Sequence, residues 1–288
     1  MHNPSSSAIV IAVINYKGGV GKTTTAVSIA SALSLRYRTL VVDLDSQGSA
    51  VFSLGQRPAT DGHTLASVLT DTTPIHRIVK PTAMEGLDIA GGTPDLEDAQ
   101  IQMAYQSHQH HRLKFALDSL RDQYDFIILD CPPAFGLLAR NAMIAAHHYI
   151  VPLTPHYLAL RGLVGLQKAI KRLKSSQSDV ATMMGIVLTM VDYRTRITRD
   201  VIHVMREKYG NTVFETEIPM NVRLAEAPGT GQTIYDFASD SKGARQYWNL
   251  SKEVVYRSGI LQKKNPVGWT PMAVTSGDGA STDVQMSA

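Results

Sequence analysis

The chain has 288 residues, 44% of them hydrophobic, with a mean hydropathy of −0.07 and a formal net charge of +3. That length can bury a sizeable core, and no stretch of about 18 apolar residues is present to suggest a membrane-spanning helix. A single cysteine, Cys131, excludes an internal disulfide, and the residues before Ala8 have neither the basic start nor the apolar centre of a signal peptide.

Short apolar runs bounded by turn residues alternate with segments of helical period. This is the pattern of a doubly wound α/β domain, a mostly parallel sheet with helices on both faces. The runs predict strands at 9–14, 39–43, 126–130, 149–153, 184–190 and 213–218, with a short edge pair around Ile78 and 87–90. A small-residue helix is expected over 26–35. Residues 95–121 read as one long polar helix or two, and His108, His110 and His111 fall there as solvated residues rather than metal ligands. Leu163, Leu166, Ile170 and Leu173 form one stripe of a further helix, with Lys168, Lys171, Arg172 and Lys174 off it. One domain is expected over 1–260. Residues 261–288 read as a flexible tail, because 265–288 hold no Lys or Arg and are rich in Gly, Ser, Thr and Ala.

The first strand runs into Asn15-Tyr16-Lys17-Gly18-Gly19-Val20-Gly21-Lys22-Thr23-Thr24, and a helix follows. Strand, glycine-rich loop and helix together define a phosphate-binding loop. The glycines let successive N–H groups turn inward, and the helix N-terminus adds its dipole. Lys22 is placed to reach β- and γ-phosphates, and the Thr23 hydroxyl to ligate Mg²⁺. Asp43 and Asp45 lie two apart at the end of the next strand, so they share a side of an extended segment. Two carboxylates there suit a hydrated Mg²⁺ and an attacking water. Asp130 closes the apolar run Phe126-Ile127-Ile128-Leu129 as a Walker B acid, holding the metal directly or through water. Residues 132–136 are the expected second switch loop, and Cys131 is expected to be a small buried hydrophobe.

The string Lys17-Gly18-Gly19-Val20-Gly21-Lys22-Thr23-Thr24 resembles the deviant Walker A box of the ParA/MinD family of ATPases. The stretches 188–195, 218–228 and 241–244 are similar to the chromosomal, Soj-like branch, and the likeness covers residues 8–257. It implies an ATP- and Mg²⁺-dependent ATPase in which Lys17 crosses a homodimer to the partner's nucleotide. It assigns Asp45 to water activation and Asp43 to the metal's outer shell, and it puts Pro219 and Asn221 in the adenine pocket. Arg194 and Arg223 match positions that hold DNA without reading its sequence. Ser46 stands where the family usually has proline, and Met220 where it often has arginine.

The resemblance further implies a cytoplasmic, nucleoid-associated protein whose hydrolysis is stimulated by a ParB-like or other adaptor, partitioning a chromosome or plasmid. Nine Lys/Arg against four Asp/Glu between Lys168 and Lys208 give that segment a net charge of +5, suited to phosphates. Positioning of a protein organelle such as the carboxysome is the alternative reading. A MinD-like membrane switch would need an amphipathic anchoring helix that the tail lacks. A metabolic P-loop enzyme would need cluster cysteines or a second substrate domain.

Overall fold

The computed structural model describes residues 7–59, 62–71 and 73–263. In chain order the elements are β1 (Ile9–Val13), α1 (Lys22–Ser34), β2 (Thr39–Asp43), α2 (Ser49–Ser53), α3 (Leu65–Thr70), β3 (Lys80–Pro81), β4 (Leu87–Gly91), α4 (Leu96–Ala104) and α5 (Arg112–Asp118). They continue as β5 (Phe126–Asp130), α6 (Leu137–Ala145), β6 (His148–Leu153), α7 (Tyr157–Ser176), β7 (Thr182–Leu188), α8 (Arg196–Tyr209), α9 (Val222–Glu226), α10 (Ile234–Phe237), α11 (Lys242–Ser258) and α12 (Ile260–Lys263). The strands form one sheet in the order β3-β4-β2-β5-β1-β6-β7, and every pairing but β3–β4 is parallel.

Alternation along the buried strands feeds two cores. Ile9, Ile11 and Val13 face the side covered by α1 and α11, while Val10 and Ala12 face the side covered by α3 to α8. The stripe on α7 is buried as the sequence predicts, at Leu163, Leu166, Ile170 and Leu173, and its lysines are exposed. The Thr25 hydroxyl and the Tyr247 hydroxyl, 3.0 Å apart, join α1 to α11 inside the second core.

Two expectations need correction. Residues 213–218 are not a strand: they and Pro219 meet the sheet through isolated bridges at Ile186–Val213 and Val191–Pro219 and through the Ile218 N–H on the Leu188 carbonyl, with no continuous ladder. Side chains take the backbone groups a ladder would need. The Glu253 carboxylate accepts the N–H groups of Glu215 and Thr216. Arg206 donates to the carbonyls of Phe214 and Glu215, and Arg257 to that of Val213. Glu253→Ala is therefore expected to cost about 1–3 kcal/mol, because two N–H acceptors disappear at once. Urea unfolding checks it, and an unchanged midpoint would mean that water replaces the carboxylate freely.

Residues 95–121 are two helices, one of the two forms the sequence allows, and the correction concerns the histidines. His108, with φ of 57°, turns the chain between them, so the three histidines sit in or beside that turn and not on a helix surface. Buried Asn141 on α6 fixes the turn, accepting the Leu113 N–H and donating to the Gln109 carbonyl. The boundary expected at residue 261 falls inside α12, and the rest of the expected tail, 264–288, lies outside the described residues.

Candidate nucleotide site

The phosphate loop bridges β1 and α1, and buried polar contacts fix it at both ends. The Asn15 amide donates to the Pro152 carbonyl at 2.6 Å and accepts the Lys17 N–H, which pins the loop's start to β6. The Thr189 hydroxyl donates to the Val20 carbonyl at 2.8 Å, pinning its end beside β7. Gly21 caps α1 with φ of 81°, a left-handed conformation that a side chain would oppose. Lys22 begins the helix, is 7% exposed, and donates to the Lys17 carbonyl at 3.2 Å. Burial pushes its pKa down, opposed by the charges of Asp130, Cys131 and Asp45. Lys17 behaves differently: it is exposed, and its ammonium has no ion-pair partner among the described residues.

Parallel pairing sets the acids. Asp43 and Asp130 are register partners at the carboxyl ends of β2 and β5, and Val13 stands opposite Asp130 on the other side. Ligands bind at such strand ends in open α/β sheets. Asp43 is fully buried, and both its oxygens are engaged. One accepts the Asp45 N–H, the other the Ala50 and Val51 N–H groups at the start of α2. Asp43 is therefore a backbone clamp first. Burial pushes its pKa up to about 6, against those three hydrogen bonds and with Asp45 repelling.

Asp130 is fully buried, and no hydrogen bond of good geometry reaches either oxygen. Burial, then the Asp43 charge, pushes its pKa well up, while the Thr23 hydroxyl and the Lys22 ammonium favour the charged form. An orphaned buried carboxylate beside a threonine hydroxyl is what a Mg²⁺ site would leave exposed to view. Among the described residues no group of three His, Cys, Asp or Glu side chains could hold a metal. A divalent ion here would thus share its ligands with phosphate oxygens, the usual arrangement for Mg²⁺.

These raised carboxyl values fix a sign. Stability from the protonated acids is complete below the ordinary carboxylate range and is lost as pH rises through the folded-state values, about 6 for Asp43. Asp130→Asn is expected to stabilise the protein at pH 8 by about 1–3 kcal/mol, since burial and the Asp43 charge together outweigh the help that Lys22 and Thr23 give the charged form. The gain should shrink as pH falls through the raised Asp130 value. Denaturant titrations across pH check this, and a destabilised variant at pH 8 would refute it.

An open cleft of about 580 Å³ runs over the loop. Gly18, Gly19, Gly21, Lys22, Thr23, Thr24 and Asp45 line it, so the structure brings together most of the residues that the sequence nominates. Val20 is buried beneath the loop and contributes backbone. The far wall was not legible: Phe52 from α2, Met190 after β7, and Pro228 and Gly229 after α9. Met190, with φ of 52°, is one of two non-glycine residues with positive φ among the described residues. Pro219 and Asn221 do not line this cleft; the Asn221 side chain accepts the Arg223 N–H and caps α9. Arg194 and Arg223 are exposed and lie apart from it, each paired locally, Arg194 with Asp192 at 2.8 Å and Arg223 with Glu226 at 2.9 Å. Buried Cys131 bonds weakly to the Leu129 carbonyl, and burial pushes its thiol up.

A parallel sheet with a phosphate loop after β1, a lysine opening the next helix and an acid closing β5 defines a P-loop ATPase. Comparison with known proteins narrows the class. A family model described as an AAA domain matches residues 8–183. The chain is 40% identical to the chromosome partitioning protein ParA of Myxococcus xanthus over 249 residues, which cover 86% of this chain and 88% of that one. It is 38% identical to the sporulation initiation inhibitor protein Soj of Bacillus subtilis, over 85% of this chain and 97% of that protein. Among solved structures it is similar to cobyrinic acid a,c-diamide synthase from Mycobacterium smegmatis with bound ATP analog and magnesium. That likeness has a TM-score of 0.75 and 31% identity over 90% of this chain and 97% of the other. An ATP complex of a Cyanothece McdA variant shares the fold, with a TM-score of 0.79 and 20% identity over 88% and 98%. The chain belongs to the ParA/Soj family of ATPases.

Proposed function

We propose that this ATPase is a partition switch: ATP and Mg²⁺ close a homodimer that holds nucleoid DNA without sequence preference, and an adaptor triggers hydrolysis and release. The observation that carries the reading is the contrast between two lysines of one loop. Lys22 is buried toward the acids, whereas Lys17 is exposed with no ion-pair partner of its own, as a residue meant for another subunit's nucleotide should be. In this reading Lys22 and the loop amides hold the phosphates, Thr23 and Asp130 hold Mg²⁺, and Asp43 positions α2 and the segment bearing Asp45. Mg²⁺ neutralises charge on the phosphates. Asp45, half-buried at the cleft and two residues beyond Asp43, orients the attacking water.

Lys168, Lys171 and Lys174 on α7 are exposed, which supports a polyanion-binding face. The ion pairs of Arg194 and Arg223 are exposed ones of the kind worth about 0–1 kcal/mol, so phosphate can displace their carboxylates. Arg194→Glu is expected to abolish binding to duplex DNA of any sequence while leaving ATP affinity intact. Wild-type binding should appear with ATP only and fall steeply with salt, by about 0.9 in log K per log salt for each phosphate contacted. Filter binding with ATP, ADP and no nucleotide, beside liposome sedimentation, decides the matter. Liposome binding without DNA binding would replace this reading with a membrane switch, although no helix among the described residues is long and apolar enough to span a bilayer.

Amidation in the manner of the diamide synthase's name has less support. A glutamine-cleaving step through a cysteine nucleophile needs an accessible thiolate, and this chain's one cysteine is buried with its thiol pushed up. Partition is preferred over organelle positioning because the relatives named ParA and Soj are far more similar in sequence than McdA, whose likeness speaks to fold alone.

A further inference from the structure

A second cavity, of about 280 Å³, adjoins the start of the phosphate loop. Four separate segments build it: Tyr16 before Lys17, His110 from the turn between α4 and α5, Phe135 and Arg140 from the loop after β5 and α6, and Arg172 and Ser176 from α7. Its chemistry is one-sided. Two guanidinium groups and an imidazole line it, and no carboxylate does. Neither Arg140 nor Arg172 has an ion pair among the described residues. The His110 Nδ1 is buried and without a hydrogen-bond partner. Burial, then the charges of Arg140 and His111, push the His110 pKa down, which places that imidazole in a positive potential.

The arrangement is held in place. Asn141, next to Arg140 on α6, grips the Gln109 carbonyl and the Leu113 N–H on either side of His110. The Tyr16 and Phe135 rings meet edge to face at 5.8 Å, so one wall joins the phosphate loop to the loop after Asp130. Tyr16 also lies beside Gly165 on α7, 3.9 Å from where a Cβ would stand.

We propose that this cavity is an oxyanion site, taking one phosphate or carboxylate group, either free in solution or carried on an acidic peptide. Unpaired guanidinium groups from two helices are suited to such groups by charge and by their planar donor forks. An occupant would touch the ring pair that connects both loops flanking the nucleotide cleft.

The test uses the full chain with its cleft filled by Mg²⁺ and a non-hydrolysable ATP analogue, so that added anions cannot enter the phosphate loop. Calorimetry then follows inorganic phosphate and a hexaglutamate peptide at matched ionic strength. The wild-type chain should bind at least one of them. The Arg140→Ala, Arg172→Ala double variant should bind it about 10-fold or more weakly while its affinity for the analogue is unchanged. Tighter phosphate binding identifies a free anion as the occupant, and tighter peptide binding an acidic partner segment. If neither probe binds, or the double variant binds as well as wild type, the proposal is wrong.

Discussion

Lys22→Ala is expected to lower ATP affinity by about 100-fold or more. The Lys22 ammonium donates to the Lys17 carbonyl and feels the Asp130 charge, and the residue is 7% exposed. Bound phosphates would offer it charge-assisted hydrogen bonds worth roughly 1.5–3 kcal/mol each, and two such bonds account for the factor. The fold should survive, because burial already disfavours the charged lysine. A calorimetric titration with Mg·ATP, with a thermal melt as control, tests both halves. Wild-type affinity in a folded variant would overturn the assignment of the loop.

Asp45→Ala should separate binding from turnover. The side chain makes one modest contact, accepting the Gln47 N–H at 3.1 Å, and the carboxylate that clamps α2 belongs to Asp43. Removing Asp45 therefore leaves the local backbone anchored and ATP affinity within about three-fold. Hydrolysis should slow by about 100- to 10,000-fold, the usual contribution of a positioned acid–base group. Persistence of the ATP-bound dimer by light scattering, with phosphate release too slow to follow, is the expected outcome. Normal release would assign the water to another residue. Asp43→Ala should do something different, loosening α2 and lowering stability, because three backbone N–H groups lose their acceptor.

What could be read from the sequence was what is local. The phosphate loop announces itself because strand, glycines, lysine and helix are contiguous, and the structure adds only the anchors Asn15 and Thr189. β1, β2 and β5 were legible because strands covered on both faces are unbroken apolar runs. The far wall of the cleft was not, because Phe52, Met190 and Pro228 come from three distant segments and none carries a charge or motif. The clamp made by Asp43 was not legible for a related reason: its partners Ala50 and Val51 are seven and eight residues on and contribute only backbone. Residues 213–218 have a strand's composition, and three side chains from α8 and α11 decide otherwise.

Those same side chains settle how copies of this protein can meet. A sheet margin with free N–H and C=O groups is a template for any other extended chain, and proteins that accumulate locally are the most exposed to that hazard. Here the β7 margin is covered by 213–218, whose N–H and C=O groups are bonded partly to the sheet and partly to Glu253, Arg206 and Arg257. The opposite margin is β3, two residues long, where Pro81 has no N–H to offer and its carbonyl accepts the Gln56 amide. Growth of the sheet from one molecule into the next is closed off at both margins. Crowding many copies together therefore need not seed fibres.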